Sequence, residues 1–156
     1  MTFSNYLVSD FLQNVTNSPY FAGMNLLVSL AQIPNLALPG AIGAQLVHPD
    51  RRILAICGDA GFLMNVQELA TAQLLGRNFT IIVFNDNDYG LISWKQQREA
   101  QRNAGTRLHN PDFVKLAESF GLTAFRPTTA EELEDQIQLS LQQNSLNLIE
   151  VPVETA

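Results

Sequence analysis

From residue 40 onward, short unbroken apolar runs alternate with segments whose apolar residues recur at helical spacing. Residues 53–57 (ILAIC) and 79–84 (FTIIVF) are apolar without alternation, the mark of strands buried on both faces. Residues 146–151 read as a last strand and 123–126 as a short one. Between them, residues 40–47 (GAIGAQLV) predict a short helix of small residues in close packing. Val66, Leu69, Ala70 and Leu74 follow helical spacing over 65–75, and Gly76 stops that helix. A helix is predicted from Tyr89 to about Arg102. Asn110-Pro111-Asp112 predicts a helix start, with Asn110 as cap and Pro111 at the first helical position, and Gly121 ends that helix after Phe120. Thr129-Ala130-Glu131-Glu132 fits a capping box opening a helix to about Gln143. The acidic run over 131–135 complements that helix's dipole. His48-Pro49-Asp50 is read as a turn, and Gly58-Asp59-Ala60-Gly61 as a flexible one.

Strands alternating with helices of this length predict an α/β fold. It is a doubly wound, mostly parallel sheet with helices on both faces. In such sheets ligands gather at the carboxyl ends of strands. The strands ending at Asp59 and Asp86 therefore aim their loops at one crevice.

Composition narrows the function. The 156 residues are 46% hydrophobic and 15% charged, enough to fill one core. The formal net charge of −6 argues against nucleic acid or an anionic membrane as partner. Cys57 is the one cysteine, so an internal disulfide is impossible and a reducing, cytoplasmic setting is expected. Residues 1–12 lack a signal peptide's basic start. The stretch 11–47 holds no Asp, Glu, Lys or Arg, but Gln, Asn and Pro interrupt it; buried helices and loops are expected rather than a membrane span.

Two carboxylates at the ends of neighbouring buried strands are costly unless something positive joins them. A hard divalent cation would do so and leave room for substrate phosphates. The Gly58–Gly61 turn adds unhindered backbone N–H groups, and the helix after it a positive dipole end. Together they point to a metal-bridged diphosphate site. The plainer alternative, two solvated loop aspartates, remains open on spacing alone.

Gly58-Asp59-Ala60, followed by Asn85-Asp86, resembles the thiamine-diphosphate motif that opens with Gly-Asp-Gly and closes with Asn-Asn or Asn-Asp. Asp59 and Asp86 lie 27 positions apart, the separation that motif has. The segment GFLMNVQELATAQLLGRNFTIIVFNDNDYGLISWKQ, LALPGAIGAQLVHPDR before it, and DFVKLAESFGL and LIEVPVE after it are similar to the acetolactate synthase large-subunit type. The likeness covers about residues 36–154 and divides the chain into a divergent segment, 1–35, and a cofactor domain, 36–156. It implies thiamine diphosphate and Mg²⁺ as cofactors. Asp59 and Asp86 would hold the metal by side chain and Asp88 by its main-chain carbonyl. Gly58, Ala60 and Gly61 would approach the diphosphate, and Tyr89, Gly90, Leu91 and Ile92 would lie near the cofactor. Leu91 and Ile92 would touch the thiamine, unless they are plain helix core. The implied activity is decarboxylation of pyruvate and condensation with a second 2-keto acid, in an oligomer.

The likeness also has gaps. Ala60 replaces the last Gly of the triplet. In register with Ala37-Leu38-Pro39-Gly40, the family's cofactor-bending Met falls on Pro34, the Gly after it on Asn35, and its Ser-Asn-Gly on Val28-Ser29-Leu30. The glutamate that activates the cofactor's aminopyrimidine is expected on a pyrimidine-binding domain of another chain or subunit, so no catalytic residue is assigned here. A catalytically inactive remnant that binds a partner is the rival reading. A dehalogenase-like phosphotransfer site starting at Asp86 wants Thr or Val where Gly90 stands. A calcium loop there wants an acid where Gln97 stands. His48 and His109 read as surface histidines, Cys57 as buried and inert, and Lys95, Arg98, Arg102 and Arg107 as a solvated face. Trp94 is expected either at the substrate mouth or in the core.

Overall fold

The computed structural model describes the backbone of residues 26–30 and the whole of residues 36–153. Five strands form one sheet, all parallel: β1 (Leu26–Leu30), β2 (Arg52–Gly58), β3 (Thr80–Asn85), β4 (Thr123–Phe125) and β5 (Asn147–Pro152), in the order β1-β2-β3-β5-β4. The helices are α1 (Ala37–Val47), α2 (Asp59–Leu63), α3 (Glu68–Leu74), α4 (Gly90–Ala100), α5 (Phe113–Ser119) and α6 (Ala130–Gln142). The chain steps in one direction from β1 to β4, skips a place, and returns through α6 to insert β5. Right-handed crossovers then put α6 on the opposite face from the other packed helices.

The core divides accordingly. On one face Ile53, Ala55 and Cys57 of β2, Ile81 and Val83 of β3 and Leu148 of β5 meet α1, Phe62 of α2, Leu69 and Ala72 of α3, and Phe113 and Ala117 of α5. On the other, Leu54, Ile56, Ile82, Ile149 and Val151 meet Leu133, Ile137 and Leu141 of α6. Both faces of β2, β3 and β5 are covered, which explains their unbroken apolar runs. Each fully buried Leu, Ile, Val or Phe stabilises the fold by about 1.5–3 kcal/mol.

Several expectations shift. The first helix begins at Ala37, three residues earlier than its small-residue run, because Pro39 stands in the first turn, where its missing N–H costs nothing. The sequence Gly58–Gly61 is not a flexible turn: β2 ends at Gly58, and Asp59 opens α2 directly. The helix read from residue 65 starts regular winding at Glu68, after a tight turn in which Glu68 N–H donates to Asn65 O. Gly76 ends it at φ +59°, a conformation that favours glycine. Asp112, not Asn110, caps α5, accepting from Val114 and Lys115 N–H, and Pro111 lies outside the helix. Thr129 caps α6 as expected, accepting from Glu132 N–H at 3.1 Å. The Glu132 carboxylate reaches back one residue further than a capping box requires, to Thr128 N–H and Oγ1.

Pro34, Asn35 and the start of the uncharged stretch lie outside the described residues. Within the segment read as divergent, residues 26–30 form the edge strand β1, paired in register with β2. Among the described residues, no helix is long and apolar enough to cross a membrane.

Candidate functional site

Register brings the two aspartates together. Gly58 pairs with Phe84, so Asp59 and Asp86 emerge at nearly the same level from adjacent carboxyl ends. Asp59 is 2% exposed and holds three donors. Ala60 N–H reaches its Oδ1 at 2.7 Å, and Asn87 N–H and Asn110 Nδ2 reach its Oδ2 at 3.0 and 2.5 Å. Burial pushes its carboxyl above the usual carboxylate range, and the three hydrogen bonds pull against that. Asp86 is half-buried and, among the described residues, accepts only Asp88 N–H, at 3.1 Å on Oδ1, the local turn that Asx residues favour. Burial raises its carboxyl too, and the charges of Asp59 and Asp88 raise it further.

The loop after Asp86 is pinned from outside. Asn87 adopts φ 56°, Leu108 N–H donates to Asn87 O at 2.8 Å, and Tyr89 N–H donates to Thr106 O at 2.9 Å. These bonds flank an antiparallel bridge between Asp88 and Arg107 of the non-hydrogen-bonded kind, which turns the N–H and C=O of Asp88 away from Arg107. The Asp88 side chain is 8% exposed, and its Oδ1 has no hydrogen-bond partner among the described residues. At Gly90 a Cβ would lie 2.8 Å from Asp86 Oδ2, so any larger residue there would displace that carboxylate. Gly58 and Gly61 differ, since a Cβ on either meets nothing within 4 Å. The chain's own packing does not ask for glycine at those two positions, which border open space above the sheet.

Leu91, Ile92 and Trp94 are 78%, 50% and 57% exposed. The helix-core alternative for Leu91 and Ile92 is therefore overturned, and Trp94 is not core. The α4 helix buries Ser93 alone, held by Asn103 Nδ2 at 2.6 Å. Arg98 stacks over the Trp94 ring at 5.3 Å from its centroid. His48 and His109 are exposed, and burial pushes the Cys57 thiol up to about 12, which keeps it un-ionised and inert at neutral pH. Tyr89 and Ala60 are half-buried at the site's edge.

Sequence reasoning missed a group of polar residues behind the two aspartates. Asn110 Nδ2 also donates to Asn85 Oδ1 at 2.8 Å, and Asn85 Nδ2 donates to Glu150 Oε1 at 2.8 Å. Arg126 donates to Glu150 Oε2 through Nε at 3.0 Å and Nη2 at 2.7 Å, and through Nη2 to Asp112 Oδ1 at 2.6 Å. One signal was legible: Glu150 interrupts the buried run LIEVPV, and a buried carboxylate demands a partner.

The model of the thiamine pyrophosphate enzyme C-terminal TPP-binding domain matches residues 29–151. The chain belongs to that family. It is 37% identical over 123 residues to the acetolactate synthase of Bacillus subtilis (strain 168) and 36% identical over 123 residues to the catabolic acetolactate synthase of Raoultella terrigena. Each match covers 79% of this chain and 22% of the relative, so the chain spans about a fifth of the length of these relatives. Among solved structures, the thiamine diphosphate-dependent 4-hydroxybenzoylformate decarboxylase of Rhodococcus jostii RHA1 superposes with a TM-score of 0.73 at 28% identity, covering 78% of this chain and 23% of that one. The doubly wound sheet is thus the TPP-binding fold, and the chain is a C-terminal TPP-binding domain of acetolactate synthase type.

Proposed function

We propose that this TPP-binding domain holds the diphosphate of thiamine diphosphate through Mg²⁺, with Asp59 and Asp86 as side-chain ligands and Asp88 as a carbonyl ligand. The observation that carries the reading is the pair of carboxylates at adjacent strand ends, both raised by burial, with uncrowded Gly58 and Gly61 beside them. A hard cation with oxygen ligands fits this donor set. Among the described residues no three His, Cys, Asp or Glu side chains form a metal cluster. Two carboxylates and one carbonyl leave positions for phosphate oxygens, as a Mg²⁺–diphosphate site requires.

Thiamine diphosphate, when bound, supplies the electron sink for decarboxylating a 2-keto acid and joining it to a second one. The protein's part is to bind and orient it. The backbone at 58–61 approaches the diphosphate, and Tyr89, Gly90, Leu91 and Ile92 border the cofactor. Leu91 and Ile92 give apolar contact, which accounts for two large apolar side chains left uncovered on α4. The activating acid comes from a pyrimidine-binding domain outside these 156 residues, in an oligomer that turns over 2-keto acids.

Calorimetry with thiamine diphosphate tests the reading. Binding is expected with Mg²⁺ and lost with chelator, and Asp59→Ala should abolish it. Equal affinity with and without chelator would sink the metal bridge.

A further inference from the structure

Asn110 does not do what its place before Pro111 predicts. The task of capping α5 falls to Asp112, which frees the Asn110 side chain. Its amide has two N–H bonds, and both are committed: one to Asp59 Oδ2 at 2.5 Å, one to Asn85 Oδ1 at 2.8 Å. The two acceptors fix the amide's orientation, because turned over it would present its oxygen to two oxygens. Its own Oδ1 is left buried with no hydrogen-bond partner among the described residues. A buried acceptor without a partner is a cost, so the amide is placed for its donors.

The support for Asn110 closes on itself. Asn85 passes to Glu150, Glu150 to Arg126, and Arg126 to Asp112, which stands two residues beyond Asn110 with the rigid Pro111 between. Strand alternation explains the convergence. Asp59, Asn85, Glu150 and Arg126 continue the same face of β2, β3, β5 and β4, because Cys57 pairs with Val83, Val83 with Glu150, and Ala124 with Leu148.

We propose that Asn110 is a positioning residue for the Asp59 carboxylate, held in turn by the polar ring of Asn85, Glu150, Arg126 and Asp112. It locks one carboxylate oxygen from the side, so that Asp59 meets its ligand without having to be ordered first. The consequence for Mg²⁺–thiamine diphosphate rests on the function proposed above; the positioning itself does not.

Amide hydrogen exchange on the metal-free chain tests it directly. The Asn87 N–H donates to Asp59 Oδ2 at 3.0 Å and more weakly to Asn85 Oδ1 at 3.3 Å, the same two oxygens that Asn110 holds, and the Ile82 N–H lies in the buried centre of the sheet. Asn110→Ala is expected to raise the Asn87-to-Ile82 exchange ratio by roughly tenfold or more, through loss of a hydrogen bond to a charged group. Thr129→Ala, which removes the α6 cap away from the site, lowers global stability without touching Asp59 and should not raise the ratio. Asn110→Asp keeps the shape and removes both donors, and it should raise the ratio too if the alanine variant fails to fold. An unchanged ratio in the Asn110 variants overturns the proposal. A second arm titrates thiamine diphosphate with Mn²⁺. Binding by the parent and roughly tenfold weaker binding by Asn110→Ala supports the role, and equal binding by both overturns it. If the parent binds nothing, the functional reading fails while the exchange ratio still decides the positioning.

Discussion

Asp59 and Asp86 look alike in sequence but differ in how they use their oxygens. Asp59 accepts on both, so an amide in its place would set an N–H against Ala60, or against Asn87 and Asn110. Asp86 accepts one N–H on one oxygen, which an amide oxygen can still take. The same change should therefore have opposite signs in the metal-free chain. Asp86→Asn removes a charge that Asp59 and Asp88 repel, and its melting temperature near neutral pH should rise by a few degrees. Asp59→Asn should lower stability by about 1–3 kcal/mol, the cost of an unsatisfied buried donor. The pH dependence has a definite sign. Both carboxyls are raised in the folded state, so their contribution is fully present below the ordinary carboxylate range and lost as pH rises through the raised values. Between the ordinary carboxylate range and the raised values, this pair favours the more acidic side, so the parent should gain more, or lose less, on acidification through that window than Asp86→Asn. Thermal melts of the three proteins across that range check both points; a lower melting temperature for Asp86→Asn than for the parent would count against the carboxylate pair.

At the scale of elements, α4 is only lightly attached to the fold. It is attached by Ser93 and by Gln96, which accepts from Ala104 N–H, while its large apolar residues face outward. Leu91→Ser should then change stability by no more than about 0.5 kcal/mol, as at other exposed positions. It should nonetheless weaken thiamine diphosphate binding measured with Mg²⁺; a large drop in melting temperature would return Leu91 to the core. The contrast with α6 shows what was legible in the sequence. The Thr129 cap came out as the capping box says, and Leu133, Ile137 and Leu141 behind it pack on the sheet at helical spacing. The parallel sheet was legible for the same reason: its central strands are apolar on both faces. Of the candidate site, the meeting of Asp59 and Asp86 at adjacent strand ends was legible from their spacing. Asn110 was not, because a residue before Pro and Asp reads locally as a cap, and only the register of β2, β3 and β5 brings it against Asp59. The exposure of Leu91 was equally invisible, since the periodicity of α4 does not say whether its apolar face meets this chain or something else.

At the scale of the molecule, the 156 residues by themselves should make no acetolactate from pyruvate. On the proposed reading, what the described residues bring to the crevice serves to bind: Asp59, Asp86, the carbonyl of Asp88 and the backbone around Gly58 and Gly61. Among the described residues, Glu150 is the most buried glutamate, and its carboxylate is taken up by Arg126 and Asn85 on the inner side of the polar ring. It is therefore committed to structure rather than poised to move a proton at the aminopyrimidine of thiamine diphosphate. If no other residue supplies a positioned acid–base group, about 10²–10⁴-fold of rate is forgone. The exposed Leu91, Ile92 and Trp94 also leave that side of the site open to water, whose exclusion protects reactive intermediates. Adding a pyrimidine-binding half from an acetolactate synthase should supply both the acid and the cover, and yield weak activity that depends on Mg²⁺. A coupled assay of acetolactate formation with the purified chain, with and without that half, decides the matter. Robust turnover by the chain alone would mean that an acid within these residues does the activating, and that the division of labour drawn here is misplaced.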